Sequence, residues 1–243
     1  MIFIFSISCV LFCQDASLPI TFACVGDIML GSDYRDDRLP PNEGRQLFEQ
    51  ARKFLSAADV AIGNLEGVIT TSGNCTKNVS KGHSYAFRMP PYLAPRLVEA
   101  GFDVLNTANN HSNDFGSDGM LDTEAILDSL KIAHTGRYGD IAIIEVRESK
   151  IAVVGFSSSS LHHSIFDLTT AMALVESLDT CCDIVVCTFH GGAEGAKYIH
   201  LPQGTEYFYN EARGDLRTFS HSLIDAGADL VFGHGPHVPR AIE

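Results

Sequence analysis

Basic residues are scarce in this chain. Its 243 residues include 17 Lys plus Arg against 30 Asp plus Glu, which gives a formal net charge of -13 at pH 7. Because a protein that binds a nucleic-acid backbone needs a basic face for the phosphates, this balance argues against nucleic acid as a partner. An acidic substrate would need bound cations that reverse the sign of the local field. Trp is absent as well, which excludes no function.

Several common catalytic and binding motifs are also missing. The sequence has no Walker loop and no dinucleotide fingerprint. The serine run at 157–160 lacks the Gly-x-Ser-x-Gly pattern of a nucleophile elbow. Among seven cysteines, the adjacent Cys181 and Cys182 match no zinc-binding spacing, and Cys24 and Cys187 lie in apolar runs where Cys is usually a small buried hydrophobe. The sequence therefore gives no support for a thiolate zinc site.

The first residues form a short apolar run. Residues 1–12 read M-I-F-I-F-S-I-S-C-V-L-F, which is too short to span a bilayer as a helix but suits the apolar region of a secretory signal. We therefore expect residues 1–16 to be a signal segment and the protein to be extracytoplasmic, in the cell envelope or secreted. A buried N-terminal strand is the alternative.

Apolar runs and amphipathic segments alternate along the rest of the chain, and 45% hydrophobic residues are enough for one sizeable core. Near-continuous apolar runs predict strands at 20–27, 59–66, 102–108, 182–190 and 228–234. A hairpin is predicted from 141–146 and 151–156, with its turn at 148–150. Helical spacing predicts helices at 45–57, 92–100, 119–133, 170–178 and 211–226. This alternation indicates an α/β fold, covered on both faces and formed as one domain over 20–243.

Five of the predicted strands end in polar residues that can bind a metal ion. Taken singly, each has an ordinary explanation, since Gly-Asp is typical of a turn and a loop Glu is usually solvated. Ligands in open α/β sheets bind at the carboxyl ends of the strands, so the recurrence favours one shared site. The residues are Asp27, Asn64 with Glu66, Asn110 with His111, His190, and His234 with His237.

The donor set combines carboxylates, an amide and several imidazoles. Mixed nitrogen and oxygen ligation is typical of Mn, Fe or Zn, and carboxylates could bridge two ions. Two such ions can hold an attacking hydroxide and stabilise a leaving oxygen. A histidine that binds no metal, such as His111, could protonate the leaving group.

Five segments of the sequence resemble the CapA family of capsule and poly-gamma-glutamate synthesis proteins, whose fold is similar to that of calcineurin-like metallophosphatases. The similarity spans most of 21–243, and A-N-N-H-x-x-D-F-G and G-H-x-P-H-V are its most specific parts. The segments are VGDIMLG (25–31), IGNLEGVIT (62–70), FRMPPYLAPRLVEAGFDVLNTANNHSNDFG (87–116), VVCTFHGGAE (185–194) and GADLVFGHGPHVPRAIE (227–243).

The resemblance implies a metallophosphatase-like α/β/β/α sandwich that binds divalent metal ions. It implies a catalytic acid at His111 and a further ligand or substrate contact at His237. The metal-site residues it implies are Asp27, Glu66, Asn110, His190 and His234. The implied partners are an anionic envelope polymer, such as poly-gamma-glutamate, and a membrane synthase complex.

The resemblance also implies a function, a metal-dependent hydrolase or transferase in capsule synthesis. A metal-dependent phosphoesterase and a non-catalytic polymer-binding or assembly subunit are the alternatives. Two departures from the family pattern bear on these expectations. Met29 stands where metallophosphatases carry the His of Asp-x-His, so one ligand of a two-metal site is replaced. The family usually continues beyond P-H-V, so we expect a C-terminally truncated domain without the last strands.

Overall fold

The computed structural model describes residues 19–35, 37–80 and 84–243, so the expected signal segment at 1–16 lies outside the described residues. The strands are β1 (Phe22–Ile28), β2 (Val60–Leu65), β3 (Val68–Ile69), β4 (Arg88–Met89), β5 (Val104–Asn106), β6 (Ala133–Thr135), β7 (Ile141–Val146), β8 (Ser149–Ser157), β9 (His163–Ser164), β10 (Ile184–His190), β11 (Glu206–Phe208), β12 (Glu211–Gly214) and β13 (Leu230–His234). The helices are α1 (Arg52–Leu55), α2 (Pro95–Ala100), α3 (Gly116–Ser129), α4 (Leu168–Asp179) and α5 (Leu216–Asp225).

Two larger sheets form the centre of the molecule. The first has the order β1-β2-β5-β6, and all of its neighbouring strands are parallel. The second has the order β13-β10-β8-β7, with β9 added beside β8, and only β7 is antiparallel to its neighbour. Parallel strands need crossover connections, and the helices between them supply these.

Alternate residues of the central strands point to opposite faces of their sheet. One face lies against the other sheet, and the opposite face lies against helices. Ile62 and Val104 of the first sheet meet Val153 and Val186 of the second in an apolar layer between the sheets. The opposite face of the first sheet packs on α1, α2 and α3, and that of the second packs on α4 and α5. The α/β prediction is confirmed, and the layers follow the order helix, sheet, sheet, helix.

Most predicted elements differ by a few residues from those observed, as with the helix expected at 119–133, which is Gly116–Ser129 and is followed by β6. Two helices differ more. The helix expected at 45–57 is helical only at Arg52–Leu55, after a series of turns. The helix expected at 211–226 starts at Leu216, because the Asp215 carboxylate caps it by accepting a hydrogen bond from Thr218 N. Residues 211–214 form β12 instead, paired with β11 in a hairpin that the sequence analysis does not predict. The hairpin of β7 and β8 is confirmed, with its turn at 147–148.

A β-bulge in β1 determines where Asp27 points. Cys24 pairs with Ile62 and Asp27 pairs with Asn64, so β1 uses one residue more than β2 over the same length. An extra residue reverses the alternation of side chains along a strand. It moves Asp27 from the face that Val25 shares with the helices to the face between the sheets, beside Asn64.

None of the helices in the described parts of the chain has the length and apolar character needed to cross a bilayer.

Candidate metal centre

The ends of four parallel strands bring most of the predicted site residues together. Asp27 and Asn64 are register partners at the ends of β1 and β2, and His190 and His234 are register partners at the ends of β10 and β13. His190 and His234 continue the rows of Val186 and Leu230, which face the other sheet. The polar residues therefore extend the apolar layer between the sheets at its carboxyl-terminal edge, as expected for a ligand site in an α/β fold.

Asp27, Glu66 and His237 form a group that could hold a metal ion. One ligand atom from each lies within 4.8 Å of the others. Asp27 Oδ2 is 2.8 Å from His237 Nδ1, and Glu66 Oε1 is 4.0 Å from His237 Nε2. Glu66 directly follows β2 and is buried, and its backbone N–H donates to Ile28 O at 2.9 Å. The β1 and β2 strand ends therefore fix both carboxylates against one imidazole.

Two more imidazoles face the same glutamate. Glu66 Oε1 lies 3.4 Å from His190 Nε2 and 3.8 Å from His111 Nε2. Three buried side-chain atoms at the strand ends have no hydrogen-bond partner: His190 Nε2, His234 Nδ1 and Asn110 Oδ1. Buried polar atoms without a partner are rare in proteins, and a metal ion would supply the missing partner. The donor set fits a divalent ion with mixed nitrogen and oxygen ligands, such as Mn, Fe or Zn.

The protonation states in the group follow from burial and from pairing. Burial lowers the pKa of His234 to about 4, so its imidazole is neutral near pH 7, which is the form that binds metals. The hydrogen bond to Asp27 raises the pKa of His237 to about 9, against the effect of burial. Burial alone would raise the pKa of Asp27. The hydrogen bond from His237, the charge of His190 and the Asn64 amide together hold that pKa well below its usual range.

A network of amides supports the carboxylate of Asp27. Asn64 Nδ2 donates to Asp27 Oδ1 at 2.8 Å. Its own Oδ1 accepts hydrogen bonds from Asn106 Nδ2 at 2.9 Å and from Asn109 Nδ2 at 3.1 Å. Asn109 Oδ1 in turn accepts from the backbone N–H of His111 at 2.9 Å. The amides that crowd the end of β5 therefore face one another, and they hold the aspartate and the histidine in place.

His111 forms a dyad with Asp114. His111 Nδ1 is 2.8 Å from Asp114 Oδ2, and Asp114 is completely buried. Asp114 Oδ2 also accepts from Phe87 N at 2.7 Å, and the Phe87 ring stacks on the imidazole with centroids 4.2 Å apart. Lys77 Nζ lies 2.7 Å from Asp114 Oδ1. With Nδ1 held in this way, the ring turns Nε2 toward Glu66.

The structure adds residues that the motif reading did not select. Asp114 is part of the A-N-N-H-x-x-D-F-G segment, and its carboxylate orients His111 directly. Lys77 lies in a polar loop without a motif, so no pattern in the sequence points to it. Glu194 ends a segment that the family resemblance covers, and its Oε2 lies 3.9 Å from His237 Nε2. Met29 is partly exposed, and its thioether is a soft ligand that suits Mn or Zn less well than an imidazole.

Comparison with known proteins identifies the family of this chain. Residues 21–243 match the family described as "Bacterial capsule synthesis protein PGA_cap". The chain belongs to this family. Its similar relatives include the PGA biosynthesis protein CapA of Bacillus subtilis (strain 168), 26% identical over 95% of this chain and 60% of the relative.

Two further relatives carry related names. A probable polyglutamine synthesis accessory protein of Mycobacterium tuberculosis (strain CDC 1551 / Oshkosh) is 30% identical over 77% of this chain and 52% of its own length. The capsule biosynthesis protein CapA of Bacillus anthracis is 25% identical over 92% of this chain and 56% of its own length. The PGA_cap chain thus spans between half and three fifths of these relatives.

Proposed function

We propose that this PGA_cap protein is a metal-dependent hydrolase or transferase that acts on amide bonds of an anionic envelope polymer. The observation that carries the proposal is the juxtaposition of Asp27, Glu66 and His237 with the unpartnered nitrogens of His190 and His234. Structural ion pairs satisfy the hydrogen bonds of their members, whereas this group leaves buried ligand atoms without a hydrogen-bond partner. The names of the relatives support capsule or polyglutamate synthesis as the setting.

The proposed ligands are Asp27, Glu66, Asn110, His190 and His234, with His237 as a further ligand or substrate contact. A bound divalent ion would act as a Lewis acid and would favour an anionic substrate, in spite of the net charge of -13. Glu66 and Asp27 are held by backbone and amide hydrogen bonds, so they need little reorganisation to bind the ion.

His111 is the proposed catalytic acid. Asp114 fixes its ring through Nδ1, which leaves Nε2 to carry a proton toward the leaving group of a substrate. Phe87 covers one face of the ring and restricts its rotation. The dyad thus separates two tasks, because Asp114 orients the ring and Nε2 faces the metal group at Glu66.

The proposed substrate is a polymer such as poly-gamma-glutamate, handled outside the cytoplasm together with a membrane synthase complex. Support for the polymer comes from the family and from the relatives' names. Hydrolysis and transfer differ only in whether water or an amine accepts the cleaved chain. The pattern of products therefore distinguishes these two reactions.

A phosphoesterase is the second candidate. It is favoured by the combination of carboxylate, amide and imidazole donors beside a His–Asp dyad, which suits phosphate esters as well as amides. The two candidates share one site and differ in the group that would lie between the ion and His111.

The test is to incubate the purified chain and Mn²⁺ with poly-gamma-glutamate, with and without an amine acceptor, and to follow chain length. Shortened or transferred chains, lost with chelator and with His111→Asn, support the proposal. Cleavage of nitrophenyl phosphate with intact polymer would support the phosphoesterase instead. Polymer binding without turnover, unchanged by chelator and by His111→Asn, would overturn both and indicate a non-catalytic subunit.

A further inference from the structure

Glu194 lies at the edge of the metal group, beside the residues to which the proposed reaction assigns a role. It follows β10 by four residues, in the loop that starts at His190. Its carboxylate is partly buried, and Oε2 is 3.9 Å from His237 Nε2. A loop glutamate is usually solvated, so a glutamate held beside a candidate metal ligand calls for a physical explanation.

The backbone on both sides of Glu194 is firmly held. Gly192 N donates to Arg213 O at 2.8 Å, and Gly195 N donates to Pro236 O at 2.8 Å. Between them, Ala193 N donates to Glu206 Oε2 at 3.1 Å, and Ala193 O accepts from Arg240 Nη2 at 3.0 Å. Glu206 and Arg240 are themselves joined by two hydrogen bonds of 2.8 Å. The loop therefore places Glu194 in a defined position. It also links the residue after Glu194 to the residue before His237.

The carboxylate of Glu194 is held by an arginine from the hairpin of β11 and β12. Arg213 is buried, and its Nη1 lies 3.4 Å from Glu194 Oε1. Its Nη2 pairs with the exposed Glu211 at 3.2 Å, and its guanidinium lies over the Phe208 ring. Since Arg213 holds Oε1, the other oxygen of Glu194 remains for His237.

The two ring nitrogens of His237 face different groups. Nδ1 faces Asp27 Oδ2 at 2.8 Å, the nearer of the two carboxylates of the candidate metal group. Nε2 faces Glu66 and Glu194, but Glu66 also faces His190 and His111. Glu194 therefore belongs to His237, whereas Glu66 is shared among three imidazoles. His237 also adopts a left-handed backbone conformation with φ of 54°, which surrounding contacts must maintain.

We propose that Glu194 is a positioning residue for His237. When Nδ1 of His237 binds the ion, Nε2 carries the proton and donates it in a hydrogen bond to Glu194, which Arg213 holds. Histidines that bind metals usually donate their second N–H to a carboxylate, which fixes the tautomer and strengthens the ligand. This inference rests on the proposed metal centre and extends it outward through His237, Glu194 and Arg213.

The test is the affinity for Mn²⁺, measured by electron paramagnetic resonance of the free ion. Glu194→Gln is expected to weaken Mn²⁺ binding about tenfold, the lower end of the effect of losing such a carboxylate. Glu211→Gln is the matched control, since it removes the exposed partner of the same arginine and should leave the affinity unchanged. The melting temperature in chelator should be the same for both variants and the original chain, which separates positioning from folding.

A double-mutant cycle sharpens the result. In a His237→Ala background, Glu194→Gln should cause no further loss, because its effect passes through the missing imidazole. Equal Mn²⁺ affinity of Glu194→Gln and the original chain would overturn the inference and leave the metal centre standing. An equal tenfold loss in the His237→Ala background would overturn it too. Absence of Mn²⁺ binding by the original chain would instead overturn the metal centre and this inference together.

Discussion

The two sheets contribute polar residues of different kinds to the same edge. On the first sheet, Asp27, Asn64 and His111 are bonded to one another or to neighbouring side chains through an amide network and a His–Asp dyad. On the second sheet, His190 Nε2 and His234 Nδ1 are buried without a hydrogen-bond partner, and His190 Nε2 has Glu66 Oε1 at 3.4 Å. Asn110 Oδ1, at the end of β5, is the first-sheet exception.

This difference indicates two separate functions within one site. The amide network and the dyad of the first sheet are joined by their own hydrogen bonds. The burial of the unpartnered atoms on the second sheet is unfavourable, and a bound ion would compensate it. We therefore expect variants of the amide network and of the His–Asp dyad to affect folding or turnover, and variants of His190 and His234 to affect metal binding. Four predictions test this contrast.

Replacing His111 tests whether the first sheet supplies the proton. His111→Asn is expected to lower turnover of the substrate by about 10²- to 10⁴-fold, the usual contribution of a general acid. Mn²⁺ affinity should be unchanged, because Asp27 and Glu66 keep their own hydrogen bonds. Steady-state rates and metal titration on the same sample measure both effects. His221→Asn, at an exposed histidine paired with Glu243, is the control, and a parallel loss of metal affinity would contradict the contrast.

Replacing His190 tests the second sheet. Mn²⁺ at about 100 times its dissociation constant stabilises a binding protein by about 2.7 kcal/mol. His190→Ala should lose most of this stabilisation, because the variant lacks a ligand atom that is buried and unpartnered. Thermal unfolding with Mn²⁺ and with chelator measures the difference. A Mn²⁺-dependent shift in melting temperature as large as that of the original chain would remove His190 from the proposed ligands.

Replacing Asn64 tests whether the first sheet holds itself together without an ion. Asn64→Ala removes hydrogen bonds to Asp27, Asn106 and Asn109 from a fully buried position. We expect the free energy of unfolding in chelator to fall by about 2 kcal/mol, since buried groups are left unsatisfied. Urea unfolding measures it, with the exposed Asn74→Ala as control. Unchanged stability in chelator would mean that the network depends on the ion.

Much of the site follows from one regularity in the sequence. Apolar strands that end in polar residues converge in a parallel fold, so the positions of Asp27, Glu66, His190 and His234 at one edge could be inferred from the pattern alone. Asn106 and Asn109 follow one another closely at the end of β5, and both donate hydrogen bonds to Asn64. Their roles in metal binding stay predictions.

Other features depend on contacts between distant segments, which periodicity does not record. The extra residue in β1 has no signature in the sequence, yet it directs Asp27 toward the site. The hairpin of β11 and β12 was not predicted, and β12 was included in a helix, because the two strands are three and four residues long, too short for a clear alternation. Lys77, in the loop between β3 and β4, pairs with Asp114, and Arg213, on β12, pairs with Glu194. Neither segment has a clear periodic pattern in the sequence.

The smallest expected effect is a pH dependence at the outer strand of the first sheet. His134, on β6, is half-buried, and its pKa is raised by the hydrogen bond to Asp140, against burial, and by the charges of Asp140 and Asp128. A raised pKa means that the folded state binds the proton more tightly. The stabilisation is therefore complete below the unfolded pKa of about 6.5 and is lost as pH rises through the folded value.

Asp140→Asn should lower the free energy of unfolding by about 0.5 kcal/mol at pH 5.5, typical of a partly exposed ion pair, and by less at pH 9. Urea unfolding in chelator at both pH values measures the difference, and His134→Gln should abolish its pH dependence. The sign is opposite to that of the second sheet, where burial lowers the pKa of His234 and acid should destabilise the fold. If the drop in the free energy of unfolding caused by Asp140→Asn grew with pH, His134 would not be stabilised by its carboxylates. The hydrogen-bonded polar pairs of the first sheet would then not extend to its edge strand, β6.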